Sequence, residues 1–461
     1  MKKKEPLRHP WLVVVILTAG VAAWMGLGSL HDFQHADSLL TVLISTQRWT
    51  PFFWGQDRFG MLVPLVAMPI RDPLANLLVQ GWLMTIGALL APFVVARFLV
   101  RRTGGWVAIG ALTDTLLLLI ATPAVQFDWL VTQPYGLSIA LGFAALIVAD
   151  DRDGFGAAVT AFGLLTLASW VNIGVLVMLA IAAAIGGSKP IRLIALATAG
   201  AALASLAAKY LASAHTITAL ASPAQWLDGW RQLVEGLSGV TTVPMAVIVV
   251  TVGAIAAAAW LWRTGGLRWR PLTAILVMAI GTWLVVGTSL WVGMNRYSFR
   301  YMYPTLMIAG VGVSTIFTAL LAKRTNGLSM AALTALAAVS IVGYGSPSVG
   351  RIERGFDDRF GRQTAAVLRS GATVIAGDYW RVWPAVFHAN LTLARTHVHA
   401  RVFGLALRSE ETDRLWKSAG ETVLIAGWSD DRSLEGVAAE HGIAITPLAH
   451  LPEIDLYTGQ P

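Results

Sequence analysis

The sequence predicts a mainly α-helical fold: a polytopic transmembrane bundle of about 11 spans, followed by a small extracytoplasmic α/β domain. Composition is the first ground. Of 461 residues, 56% are hydrophobic and 13% charged, with a mean hydropathy of +0.64, whereas a soluble domain carries about 25% charged residues. The second ground is distribution. Nearly all of 11–344 falls into apolar runs of about 15 to 23 residues, the length that crosses a ~30 Å hydrocarbon core at about 1.5 Å per residue. The third is that these runs stop after Gly345. The chain therefore divides into 1–344, a membrane domain, and 345–461, a soluble domain.

The elements follow in order. Met1 to Lys4, with Arg8, precedes an apolar segment from Trp11 to Leu30 that is too long for a signal-peptide core and has no small-x-small cleavage site, so it reads as an uncleaved first helix. Further spans are expected near 75–97, 105–122, 136–149, 155–171, 173–187, 191–213, 243–262, 271–292, 301–322 and 328–344. Basic residues in short loops orient them. Lys2 to Lys4, then Arg97 with Arg101 and Arg102, Arg152, Lys189 with Arg192, Arg263 with Arg268 and Arg270, and Lys323 with Arg324 all fall on the cytoplasmic side. An odd number of spans then leaves the C-terminal segment outside. The net charge of +8 is read as this topological signal, and no nucleic-acid partner is expected. With no cysteine, disulfides, thiolate nucleophiles and cysteine-ligated metal are excluded.

Two outer segments carry amphipathic patterns. Leu39, Leu40, Leu43 and Ile44 form a stripe after the helix-start signal Asp37-Ser38, and Trp226, Trp230, Leu233 and Leu237 form another, so both read as interfacial helices. In the tail, Ala372–Ala376 and Thr422–Ala426 read as strands, with helices over Ser409–Ser418 and Leu434–His441. The run Gly377-Asp378-Tyr379-Trp380-Arg381-Val382-Trp383-Pro384 puts aromatic residues at a strand end, either as domain core or as cover for a cleft.

Polar chemistry gathers in the expected outer loops. His31, Asp32, His35 and Asp37 follow the first span, and Trp54, Gln56, Asp57 and Arg58 precede the second. A partly shielded carboxylate suits a general base that takes a proton from an attacking hydroxyl, although Asp37 could equally N-cap its helix. Trp54 and Gln56 beside the Asp57-Arg58 pair suit a polar ligand such as a sugar, or the pair is a loop ion pair. Arg296, Arg300 and Tyr301 arrive just ahead of Pro304, where guanidinium donors and a helix N-terminus favour phosphate; lipid headgroups could also take up these arginines. Asp128 and Trp129, and Trp170 with Asn172, can line a polar cavity or anchor at the membrane interface. His31 with His35 at helical spacing, and His397 with His399 on one strand face, could each begin a metal site.

Taken together, the cytoplasmic start, the acidic residue soon after span one, the interfacial helices, the arginine-aromatic-proline stretch opening a late span and the outer C-terminal domain resemble the GT-C superfamily of integral membrane glycosyltransferases. That group includes protein O-mannosyltransferases and the aminoarabinose transferase of lipid A. The resemblance implies transfer of a sugar from a polyprenyl-phosphate donor to an extracytoplasmic glycan, lipid or protein, with inversion, in a bacterial inner membrane. It implies Asp37 as base with Asp57 as second candidate, and Arg300, Arg296 and Arg58 on the lipid phosphate, with Tyr301, Gln56 and Trp54 beside the substrate. No cofactor is required, and a divalent metal is compatible. The Asp-Glu pair that O-mannosyltransferases carry in the first outer loop is replaced by Asp37-Ser38. The competing class is a transporter, flippase or lipid-binding protein without transferase chemistry. It should show charged or Gly/Pro-broken spans near the midplane, whereas Asp114 and Lys209 are the main ionisable residues in these runs.

Overall fold

A computed structural model of the chain describes residues 10–460 apart from 33, 58, 101–104, 213–219, 241–268, 295–297, 322–324, 408–421, 429 and 432. The protein is mainly helical with a small C-terminal sheet. Among the described residues, six helices are long and apolar enough to cross a membrane, or seven if a pair bent by 52° at Gln133–Pro134 counts as one span. That is the mark of a multi-pass membrane protein. The expected eleven are not reached. Where 105–122, 136–149, 155–171 and 173–187 were expected to span, the helices have only 10 to 17 residues, and 15 residues cover about 22 Å of a ~30 Å core. The expected span 243–262 and the expected helix 409–418 lie outside the described residues.

The chain separates into two compact units. A helical unit comprises Met1–Gly26, Trp82–Leu206 and Ile217–Ser346; a sheet unit comprises Leu27–Gly81, Ala207–Thr216 and Pro347–Pro461. The soluble segment drawn at 345 by sequence thus shares its fold with the first expected outer loop.

In the helical unit, α1 (Pro10–Ser29) is followed, in chain order, by the spans and short helices that form the bundle. The helix Trp106–Ile120 packs on Tyr303–Leu320 and on Thr325–Tyr344. Gly136 permits a close crossing, because a Cβ there would meet Ala88 Cα at 2.2 Å. The helix Pro223–Val240 turns Trp230 onto Trp283, with ring centroids 5.8 Å apart, and buries Leu233 against Val292 and Met302. Leu227 and Val234 stay exposed, so this amphipathic helix has a protein face and an apolar outer face.

In the sheet unit, α2 (Ala36–Thr46) follows a turn, and its stripe is not laid on lipid as expected. Leu39, Leu40, Leu43 and Ile44 are all fully buried, and Leu40, Leu43 and Ile44 share one core cluster with Val382, Trp383 and Val386 of the helix α3 (Tyr379–Arg395). An apolar stripe records only that a helix face must leave water; protein and lipid satisfy it alike. Asn76 donates to Ser45 Oγ at 2.9 Å and to the carbonyls of Ala67 and Ile70, while Gln47 donates to Val402 O at 2.9 Å. The far end of α2 is therefore fastened on two sides.

The sheet has the order β2-β1-β3-β5-β4, with β1 (Val374–Ala376), β2 (Phe403–Leu405), β3 (Val423–Gly427), β4 (Ala444–His450) and β5 (Asp455–Gln460). β1 lies parallel to β2 and β3, and β5 is antiparallel to β3 and β4. Parallel strands need crossover connections, and α3 supplies the one between β1 and β2. β1 and β3 stand where strands were expected, and the helix Ser433–Glu440 stands where 434–441 was read as helical.

Candidate active site

The site is built at the start of two helices. Gly377 leaves β1 with φ +138°, and a Cβ there would meet Asp431 Oδ2 at 2.2 Å, so only glycine lets the chain turn at this point. Asp431 Oδ2 accepts the Asp378 N–H at 2.6 Å, and Asp378 in turn caps α3 by accepting the Trp380 N–H at 2.9 Å. These two carboxylates set the first turn of α3, and with it Tyr379. The Tyr379 hydroxyl donates to Asp37 Oδ1 at 2.5 Å.

Asp37 is the second residue of α2 rather than its cap. His35 occupies the cap position and makes no side-chain capping bond. The carboxylate thus faces the positive end of the helix dipole. Its Oδ2 stands 3.8 Å from His35 Nδ1, beyond hydrogen-bond reach, and His35 Nδ1 has no hydrogen-bond partner. The His35 ring meets Trp380 edge-on at 4.8 Å, and Trp380 meets Tyr379 edge-on at 5.0 Å. The Asp37 side chain is 17% exposed. One carboxylate oxygen is therefore held by a phenol, the other lies toward an imidazole, and an aromatic wall stands alongside: a proton acceptor with an oriented lone pair and a second titratable group within reach.

The other expected residues are distributed differently. The segment around Asp57 is a loop closed by an antiparallel bridge between Phe52 and Gly60. Trp54 does not face a ligand: it is completely buried, its ring 6.0 Å from Trp383, and its Nε1 donates to Arg48 O at 3.3 Å. Gln56 is buried as well. Arg58 and Arg296 lie outside the described residues, and with Arg58 the expected Asp57 ion pair. Arg300 and Tyr301 belong to the helical unit, in a 3₁₀ turn, Ser298–Met302, that leads directly into the helix Tyr303–Leu320 with Pro304 in its first turn. Arg300 is 7% exposed.

The histidine pairs do not form metal faces. His31 sits in a turn, where Nε2 accepts the Ser348 N–H at 3.0 Å, and burial together with Arg351 holds its pKa below the ordinary value. His397 is in a turn at φ +55°, not on a strand. Among the described residues no three His, Asp or Glu side chains gather as metal ligands.

Sequence reasoning noticed Tyr379 and Trp380 as an aromatic cluster but missed Tyr379 as the partner of Asp37, 342 positions away. The sequence signal was Gly377-Asp378 directly after a strand, a turn followed by a helix cap. It also missed a second set of similar groups. His388 Nε2 donates to Asp357 Oδ1 at 2.9 Å, and its Nδ1 accepts the Thr364 hydroxyl at 2.8 Å. An ionised carboxylate only accepts, which fixes the tautomer. Thr364 and His388 are each 2% exposed and the Asp357 side chain is 51% exposed, so the hydroxyl and the imidazole are closed to substrate while the carboxylate reaches the surface, and the chain ties two helices.

No protein-family model matches the chain, and no curated protein is similar to it.

Proposed function

We propose that the chain is an integral membrane glycosyltransferase of the GT-C kind, which transfers a sugar from a polyprenyl-phosphate donor to a hydroxyl of an extracytoplasmic acceptor with inversion. The observation that carries this reading is the Asp37 carboxylate, held by Tyr379 at the head of α2 beside His35 and Trp380. Asp37 takes the proton of the acceptor hydroxyl as its oxygen attacks the anomeric carbon, and the bond to the lipid phosphate breaks. Tyr379 orients the carboxylate. Arg300, in the helical unit with Pro304 in the first turn of the helix that follows, stands by itself as a candidate phosphate-binding residue for the donor. Asp57 is the reserve base. The enzyme works in a bacterial inner membrane with a cytoplasmic N-terminus and an extracytoplasmic C-terminus.

The test is sugar release from radiolabelled polyprenyl-phosphate hexose by the purified chain, comparing wild type with Asp37→Asn and Arg300→Ala at matched folded yield. Loss of turnover in both variants, with donor binding retained in Asp37→Asn, supports the reading. Full activity in Asp37→Asn transfers the role to Asp57. No turnover by wild type with any donor favours transport or lipid binding without transfer, a reading that the buried Asp114 and the 52° break at Gln133–Pro134 support.

A further inference from the structure

The sheet is wound from both faces. Ile375 and Ala426 share the core cluster of α2 and α3, whereas Val374, Ala376 and Ile425 belong to a second cluster with Leu434 and Ala438 of the helix Ser433–Glu440. Successive strand residues face opposite ways, so α3 covers one face and Ser433–Glu440 the other. The parallel neighbours β1 and β3 therefore send the chain apart. β1 leaves through α3 for β2 at one side, and β3 leaves through Ser433–Glu440 for β4 at the other. Such a divergence at the carboxyl ends of adjacent parallel strands is a topological switch point, the place where open α/β sheets bind ligands.

The floor of this crevice is filled. Asp431 accepts the Asp378 N–H on Oδ2, and the Ser433 N–H and hydroxyl on Oδ1 at 2.9 and 2.5 Å. The rim is the first turn of α3, where three successive side chains fan out. Tyr379 reaches Asp37. Trp380 meets the rings of His35 and Tyr379 edge-on and is still 44% exposed. Arg381 crosses to the loop after β3, lying over the Trp428 ring at 4.5 Å and pairing with Asp430 at 2.8 Å. Tryptophan is highly buried on average. An indole steadied by two aromatic neighbours and left this open is a platform.

Charge selects what the platform carries. Three carboxylates, Asp37, Asp378 and Asp430, stand at this rim with Arg381, which Asp430 already pairs, so a phosphate or nucleotide would meet groups of its own sign. An apolar tail would cover the ring but desolvate its charged neighbours. A saccharide answers both: the C–H face of its ring lies on the electron-rich face of an indole, while its hydroxyls donate to carboxylates and accept from a guanidinium. We propose that the acceptor is a carbohydrate, seated on Trp380 with its hydroxyls toward Asp37 on one side and toward the Arg381–Asp430 pair on the other. Its role as acceptor rests on the transferase reading. The saccharide site is read by binding alone, so the two can fail separately.

The experiment titrates methyl α-D-mannopyranoside, methyl β-D-glucopyranoside and maltose against the full chain by saturation-transfer NMR, in a detergent without a sugar headgroup. A blocked serine–threonine peptide is the hydroxyl probe that is not a carbohydrate. Binding of at least one saccharide is expected, weakened about three- to tenfold by Trp380→Ala and less by Trp380→Phe, which keeps an aromatic face. Gel filtration and melting temperature confirm that each variant is folded, and Trp380→Gln replaces Trp380→Ala where that variant fails this control. Binding of no saccharide, saccharide binding undiminished without the indole, or binding of the peptide alone overturns the proposal. Because the chain has no cysteine, Trp380→Cys also accepts a single nitroxide label in lipid nanodiscs. Relaxation of that label by an aqueous nickel complex is expected; relaxation by oxygen alone puts position 380 in lipid and overturns the site. Saccharide binding without turnover leaves the site standing and removes the transferase reading, and turnover onto the peptide does the reverse.

Discussion

Two clusters in the sheet unit use the same kinds of group to opposite ends. In Thr364–His388–Asp357 the imidazole is central, bonded on both nitrogens and sealed from water. In Tyr379–Asp37–His35 the carboxylate is central, bonded on one oxygen by the phenol, with an imidazole 3.8 Å from the other and an unpartnered nitrogen on that ring. The contrast lies in which group stands at the centre. A buried imidazole bonded on both nitrogens has nothing left to offer a substrate, and removing it strands the Thr364 hydroxyl. A carboxylate oriented by a phenol and 17% exposed can exchange a proton with a group outside the network.

The comparison can be broken by substitution. Asp37→Asn keeps size and polarity but removes the base, so turnover should fall by about 10²- to 10⁴-fold while the melting temperature hardly moves; kinetics and calorimetry on one preparation check both halves. Trp383→Ala should cost about 3–5 kcal/mol, because the ring is fully buried in the core under α2 and α3. Denaturant titration of a proteolysis signal measures it.

His388→Ala removes the centre of the network and leaves the buried Thr364 hydroxyl without its partner, while Asp357 keeps Arg395 at 3.1 Å, an expected loss of about 1–3 kcal/mol. Turnover of the folded fraction should be unchanged. Tyr379→Phe is milder, about 1 kcal/mol for one hydrogen bond, but it frees the Asp37 carboxylate to rotate. The expected signature is a lowered kcat with KM preserved and an altered pH–rate profile.

The smallest effect is one of pH. Burial holds His388 below its ordinary pKa of 6.5, against the pull of Asp357. The unfolded chain therefore takes up this proton at a higher pH than the folded one. Stability from this group is full above pH 6.5 and is lost as pH falls through the lower folded value. In His388→Gln that component of the acid dependence should vanish, as melting curves across pH 5 to 7 would record.

Much of this architecture was legible in the sequence wherever a short stretch carries the whole signal. The apolar runs located helices, Asp37-Ser38 marked the start of α2, Pro304 marked the start of a late helix, and the strands read at Ala372–Ala376 and Thr422–Ala426 stand as Val374–Ala376 and Val423–Gly427. What was not legible depended on distant partners. The stripe Leu40, Leu43 and Ile44 looked fit for lipid because its true cover, Val382 and Val386, lies some 340 positions away. Trp54 looked like a ligand platform and is core for the same reason. The span count is not reached among the described residues, because hydropathy averages over turns such as the π-helical turns Asp128–Thr132 and Ala182–Gly186. Asp37 was found from its place after span one; Tyr379, which holds it, could be seen only once the chain was folded.

The most direct measurement sets the two clusters side by side: turnover of polyprenyl-phosphate hexose and melting temperature for Asp37→Asn and His388→Gln. The expected result is a crossed pattern, with Asp37→Asn folded as wild type but inactive and His388→Gln destabilised but active while folded. An active Asp37→Asn, or one whose inactivity follows from unfolding, would contradict the assignment of Asp37 as the base.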